Sequence, residues 1–123
     1  MSAGPERAVD YVGHMLQAAE EIRTFTTGLS KDEFIVSRMA SAAVIRNLEI
    51  IGEASRRVLE HCPELAAQHP AVPWREVYRM RNRIAHGYDT VDLEAVWEAA
   101  QRDIPALAGQ LRAVLVTLRP QSP

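Results

Sequence analysis

The sequence predicts an all-α protein, an antiparallel bundle of four to five helices. Three observations carry that prediction. Apolar residues recur at intervals of three and four, in Val12, Leu16, Ala19 and Ile22 and again in Val44, Leu48, Ile51, Ser55 and Val58. Aromatic residues make up only 6% and β-branched runs are short, so no strand pattern competes. Glycines and prolines fall between the periodic segments and leave short connections, which favour antiparallel neighbours.

Each element has its own signal. Gly28 ends the first helix. Ser30 to Glu33, "SKDE", reads as a capping box that opens the next. A long helix follows from about Arg38 to His61. Pro63, Pro70 and Pro73 mark a connector with one short helical turn in "PELAAQ". Trp74 to Ala85 is a helix opened by Pro73 and closed by Gly87. Asp92 to Leu118 is the last helix, and Pro105 inside it is expected to bend or divide it. The expectation is one domain over residues 1–123, with a core from about 5 to 118 and disordered ends.

Composition narrows the function classes. The chain is 47% hydrophobic and 24% charged, with net charge −2, a globular balance that argues against a general nucleic-acid coat protein. Its apolar runs are too short for a membrane span. "MSAGPERAVD" has no basic region followed by an apolar stretch, so no secretion signal and a cytoplasmic location are expected. Cys62 is the single cysteine, which removes a disulfide framework or a four-cysteine zinc site. Lys31 is the only lysine among 14 basic residues. A GC-rich codon bias can account for that total, but not for local clustering.

The clustering is in "MRNRIAHGYD", Met80 to Asp89, just after Arg79. On a helical wheel Val77, Met80 and Ile84 share a core side. Arg75, Arg79, Asn82 and His86 fall opposite, within roughly 60° of one another, with Arg83 at their edge. Arg81 lies on the apolar side instead. Three readings fit it: a stem along the core with its head in water, an ion pair with a glutamate of another helix, or a site at a subunit interface. Arg81 and His86 are about 140° apart on an unbroken helix, and only unwinding at Gly87 lets the imidazole turn towards Arg81.

An imidazole can give or take a proton at neutral pH, and an arginine can stabilise charge on a phosphate transition state. Together they suit RNA cleavage in which the ribose 2′-hydroxyl attacks, with no metal and no cofactor. By residue types alone, a histidine near arginines at a helix end, as His86 is, is most often a C-terminal cap favoured by the helix dipole. Asp10 and His14 share a face without a third ligand. His61 and His69 flank the connector as solvated groups. Glu49 and Glu53, with Arg46 before and Arg56 and Arg57 after, read as an ion-pair ladder or as support that orients a catalytic residue. No glycine-rich phosphate loop, Ser-His-Asp arrangement or thiol nucleophile is evident.

At "RNRIAHGY" the sequence resembles the HEPN superfamily and, within it, the HepT-like toxins. Their signature of Arg, a polar residue and then His reads here as Arg81, Asn82 and His86, with Tyr88 two further on. "AAVIRNLEIIGEASRRV", "VPWREVYRMRNRIAHGY" and "VDLEAVWEAAQRDIPAL" extend the resemblance over nearly the whole chain. Asp89 departs from it, because that branch often carries an aromatic there.

The resemblance implies a HEPN-like homodimer and a metal-independent endoribonuclease, the toxin of a type VII toxin–antitoxin pair. Arg81 and His86 would be catalytic, with Asn82 and Glu53 in support. Arg75, Arg79 and Arg83 are expected to hold the RNA backbone. The implied partner is a minimal nucleotidyltransferase of the MntA type that transfers AMP onto Tyr88. The alternative is a non-catalytic helper subunit of a nucleotidyltransferase. A dead member is expected to have lost Arg81 or His86, and both are present.

Overall fold

A computed structural model describes residues 5–84 and 91–118. Its elements in chain order are α1 (Pro5–Thr26), α2 (Lys31–Val36), α3 (Arg38–His61), α4 (Pro63–Gln68), α5 (Trp74–Ile84), α6 (Leu93–Glu98), a π-helical segment (Ala99–Asp103) and α7 (Ile104–Leu118). The described residues are all-α, as the sequence predicts. None of the described helices is long and apolar enough to cross a membrane.

Local chemistry sets the breaks. Gly28 adopts φ 84° just beyond α1, a left-handed conformation that favours glycine. The Ser30 hydroxyl accepts from the Glu33 N–H at 3.1 Å, and the Ser30 N–H donates to Glu33 Oε1 at 2.9 Å, the expected capping box. Those bonds from Ser30 hold the Glu33 carboxyl below its ordinary range. The Ser37 hydroxyl caps α3 at the Ala40 N–H, 3.1 Å away, and Asp92 Oδ1 caps α6 at the Ala95 N–H, 3.0 Å away.

The last helix is divided rather than simply bent. Pro105 has no N–H to give the Gln101 carbonyl, so the α-helical ladder cannot run through it. The ladder slips by one residue just ahead of the proline, and the Ile104 N–H donates to Ala99 O five residues back.

α1 packs against α3 and α7, and α3 also packs against α5. The Tyr11 and His61 rings lie 6.4 Å apart, so the start of α1 meets the end of α3 and the two run antiparallel. Phe34 of α2 stacks at 5.3 Å on Trp97 of α6 and covers the bundle's other end. Val12, Met15, Ile22, Val44, Ile51, Val58, Ile104 and Leu111 are fully buried between the helices. Each such side chain contributes about 1.5–3 kcal/mol relative to exposure. Every member of the predicted α3 stripe is buried, Ser55 included. His61 and His69 are half-buried rather than solvated, because His61 packs beside Tyr11 and His69 Nε2 lies 3.4 Å from Thr117 Oγ1.

Candidate functional site at the end of α5

α5 is amphipathic in the predicted sense. Val77 and Met80 are buried, whereas Arg75, Arg79 and Asn82 are exposed. Arg75 and Arg79 have no ion pair among the described residues. Arg81 and Arg83 lie within the helix, but their side chains are not among those described. His86, Gly87, Tyr88 and Asp89 lie outside the described residues. The structure therefore brings Arg75, Arg79 and Asn82 onto one open surface of the motif helix, and describes neither the Arg81 side chain nor His86.

α5 is held at a defined height on α3. The buried Ser55 hydroxyl donates to the Trp74 carbonyl at 2.6 Å. At Gly52, an added Cβ would stand 3.6 Å from the carbonyl oxygens of both Val77 and Tyr78. A methyl there would be in ordinary contact with both carbonyls, so the two backbones approach closely. Ser55 stands beside Trp74 and Gly52 beside Val77 and Tyr78, so the helices run antiparallel. One turn further in each direction, the turn that holds Arg81 comes level with Leu48 and Glu49. The Trp74 indole N–H donates to the His69 carbonyl at 3.1 Å and fixes the start of α5 to the connector.

Glu53 sits on the outer side of α3 and is part of a ladder. Its carboxylate takes Arg56 Nη2 at 2.5 Å and Arg57 Nε at 3.4 Å, and Arg56 Nη1 continues to Glu60 at 2.6 Å. The bonds to Glu53 first, and to Glu60 second, hold the Arg56 guanidinium above its ordinary range. The sequence offered both the ladder and an orienting role for this glutamate. The ladder is present, and the orienting role is taken up below.

Two features of the site carry only a faint sequence signal. Gly52 and Ser55 belong to the α3 helix pattern, and small residues in such a stripe mark a close helix crossing. Their partners on α5 are not readable from spacing. Elsewhere, burial pushes the Cys62 thiol up, with Glu64 adding to it, which suits an inert buried group rather than a nucleophile. No cluster of three or more His, Cys, Asp or Glu able to hold a metal occurs among the described residues.

Comparison with known proteins places these elements. The family profile described as "Ribonuclease HepT-like" matches residues 15–114, which takes in α3, α5 and most of α7. A protein of Thermococcus cleftensis named "Probable ribonuclease HepT" is 40% identical over 101 residues, 82% of this chain and 89% of that one. A "Putative RNase" of Caldanaerobacter subterraneus subsp. tengcongensis is 33% identical over 105 residues, 85% and 91% of the two chains. Another of Methanocaldococcus jannaschii is 36% identical over 100 residues, 81% and 89% of the two chains. No solved structure matches the chain significantly. With a profile spanning most of its length and relatives this similar, the chain belongs to the HepT-like ribonuclease family.

Proposed function

We propose that this chain is a metal-independent endoribonuclease, the toxin of a type VII toxin–antitoxin pair, working as a homodimer. The observation that carries the reading is the open face of α5. Arg75 and Arg79 stand exposed without a carboxylate partner among the described residues, beside the Arg81–His86 motif, in a chain of a ribonuclease family. Unpaired arginines are the ones free to hold phosphate oxygens.

In this mechanism the ribose 2′-hydroxyl attacks the adjacent phosphorus and the bond to the 5′-oxygen breaks. The 2′-hydroxyl loses a proton and the 5′-oxygen gains one, transfers that His86 can serve. Arg81 stabilises the charge on the phosphate oxygens as the bonds exchange. Asn82 lies on the open face and bonds the RNA. Glu53, held by Arg56 and Arg57, orients Arg81. On antiparallel helices side chains lean towards their own N-termini. The side chain at 53 therefore leans along α3 towards the level of the turn that holds Arg81. Arg75, Arg79 and Arg83 steer the RNA by its backbone.

Control comes from an MntA-like nucleotidyltransferase that transfers AMP from ATP to the Tyr88 hydroxyl and releases pyrophosphate. The added phosphodiester and base then compete with RNA for Arg81 and His86. The test has two arms. Purified protein in EDTA is expected to cut RNA and leave 2′,3′-cyclic phosphate ends, and activity that needs added magnesium overturns the mechanism. After incubation with the nucleotidyltransferase and ATP, the wild type is expected to gain AMP units in intact mass and Tyr88→Phe none. Equal gain on both removes Tyr88 as the acceptor.

A further inference from the structure

A cavity of about 230 Å³ opens between α5 and the divided last helix. Its floor is apolar, from Val77 and Met80 of α5 and Ile104 and Leu107 of α7. Its rim is polar and exposed, from Glu76, Arg102 and Asp103. The Gln110 amide donates to the Ala71 carbonyl at 2.9 Å, which ties the chain just before α5 to the middle of α7. From there the cavity reaches Met80 on one side and Arg102 on the other, so its two walls run antiparallel. The π-helical segment ends at Asp103, and the slipped ladder ahead of Pro105 therefore falls on this rim. Glu76 and Asp103 have no ion pair among the described residues. Arg102 is mostly exposed, with Glu98 3.9 Å away.

We propose that this cavity takes one unstacked base of the RNA and selects guanine, with Glu76 reading its edge. This rests on the ribonuclease reading of α5 above and names the base that the site prefers. Glu76 precedes Arg79 by three residues, so the two are surface neighbours on α5. A phosphate held by Arg79 leaves its base beside the mouth of the cavity. The apolar floor suits the face of a base splayed out of its stack. The cavity is smaller than the ~300–1,000 Å³ of sites for drug-sized ligands, which fits one ring system rather than a whole nucleotide. Two carboxylates against one guanidinium repel phosphate, so the neutral base is the part of the RNA that enters.

Among the bases, the hydrogen-bonding edge decides. Guanine alone presents two adjacent donors, N1–H and N2–H, which match the two oxygens of one carboxylate. Its O6, next to them, is an acceptor for the Arg102 guanidinium on the same rim. Uracil flanks its N3–H with two carbonyl oxygens. Adenine and cytosine each set a ring-nitrogen lone pair beside the amino group. All three turn an acceptor towards the Glu76 carboxylate, which has no donor to give.

The test is fluorescence anisotropy with labelled uridine hexamers, 2′-O-methylated throughout so that no hydroxyl remains to attack. One central guanosine is expected to tighten binding on the order of 10- to 100-fold over the all-uridine hexamer, whereas adenosine or cytidine there adds little. Inosine, which lacks the 2-amino group, is expected to fall between guanosine and uridine, a comparison that needs no variant. Glu76 is exposed, so Glu76→Gln leaves the fold intact. It sets an amide donor against the guanine donors and is expected to lose most of the guanosine preference, while binding the all-uridine hexamer at least as tightly as wild type. Equal binding of all hexamers by wild type, binding of none, or a preference that survives Glu76→Gln overturns the proposal. So does a labelled oligo-arginine peptide that binds where no hexamer does, because the carboxylates then serve a cationic protein segment. Cleavage of unmodified RNA is measured on the same wild-type sample. Cleavage without guanosine preference removes the base pocket and leaves the ribonuclease reading; guanosine preference without cleavage does the reverse.

Discussion

α3 and α5 lie side by side and both carry arginines, but those in the C-terminal half of α3 and those of α5 have opposite fates. On α3, Arg56 and Arg57 are closed onto Glu53 and Glu60. On α5, Arg75 and Arg79 have no carboxylate among the described residues. A guanidinium held by two carboxylates has its donors occupied and its field cancelled nearby, so it offers little to a phosphate. An unpaired one pays no such exchange when RNA arrives. On the proposed reading, pairing state and not arginine count separates Arg75 and Arg79 from Arg56 and Arg57 as contacts for RNA.

The largest expected effect lies in the motif that ends α5. Replacing His86 by Ala is expected to slow RNA cleavage at least ~100-fold, and Arg81→Ala comparably, since general acid–base catalysis is worth about 10²–10⁴-fold and charge stabilisation a similar amount. Circular dichroism and melting should stay near wild type. Retained activity in either variant would break the assignment of α5 as the catalytic helix.

Next in size is the junction that sets α5 on α3. Gly52→Leu drives a side chain into the carbonyls of Val77 and Tyr78 and is expected to cost about 1–3 kcal/mol of stability, read by denaturant unfolding. Gly52→Ala should be tolerated at the 3.6 Å separation. Ser55→Ala removes the bond to the Trp74 carbonyl and should cost about 1 kcal/mol. If Gly52→Leu melts like wild type, the close approach of the two helices is wrong.

The pairing contrast is sharpened by salt. Arg75→Ala and Arg79→Ala are each expected to weaken RNA binding on all sequences alike and to lower the slope of log affinity against log salt by about one. Arg56→Ala, taken from the closed ladder, should leave that slope unchanged. An equal drop from Arg56→Ala would show that pairing state does not decide which arginines meet RNA.

The smallest effect is electrostatic and local. The Glu33 carboxyl is lowered by its bonds to Ser30, so the folded state favours its ionised form. Its contribution is therefore fully present above the ordinary glutamate range and is lost as pH falls through the lowered value. Wild type should lose stability on acidification relative to Glu33→Gln, measured by urea unfolding across that range. Parallel curves for the two proteins would remove the capping box as a pH-dependent element.

Much of this architecture is written in local sequence. Periodicity and caps place α3 from Arg38 to His61, the capping box at Ser30 and the short α4 where they are found. They also assign Val77 and Met80 to the buried side of α5 and Arg75, Arg79 and Asn82 to the open side. These features depend on residues within a turn or two of each other, so spacing suffices. The arginine–histidine motif was legible as a pattern for the same reason. The division before Pro105 was expected, but not its form, because a bend and a slipped ladder both answer the missing N–H.

Only the tertiary structure decided how the helices stand against one another. Periodicity tells which face of α3 is buried and nothing about how far α5 slides along it. That offset is set by where the smallest residue allows contact and where a buried hydroxyl finds a carbonyl, at Gly52 and Ser55. The same holds for His61, whose place beside Tyr11 needs the two ends of α1 and α3 to meet. Local sequence determines faces and ends because its interactions are short in the chain. Axial register is decided by packing between segments far apart in the chain, which no single segment encodes.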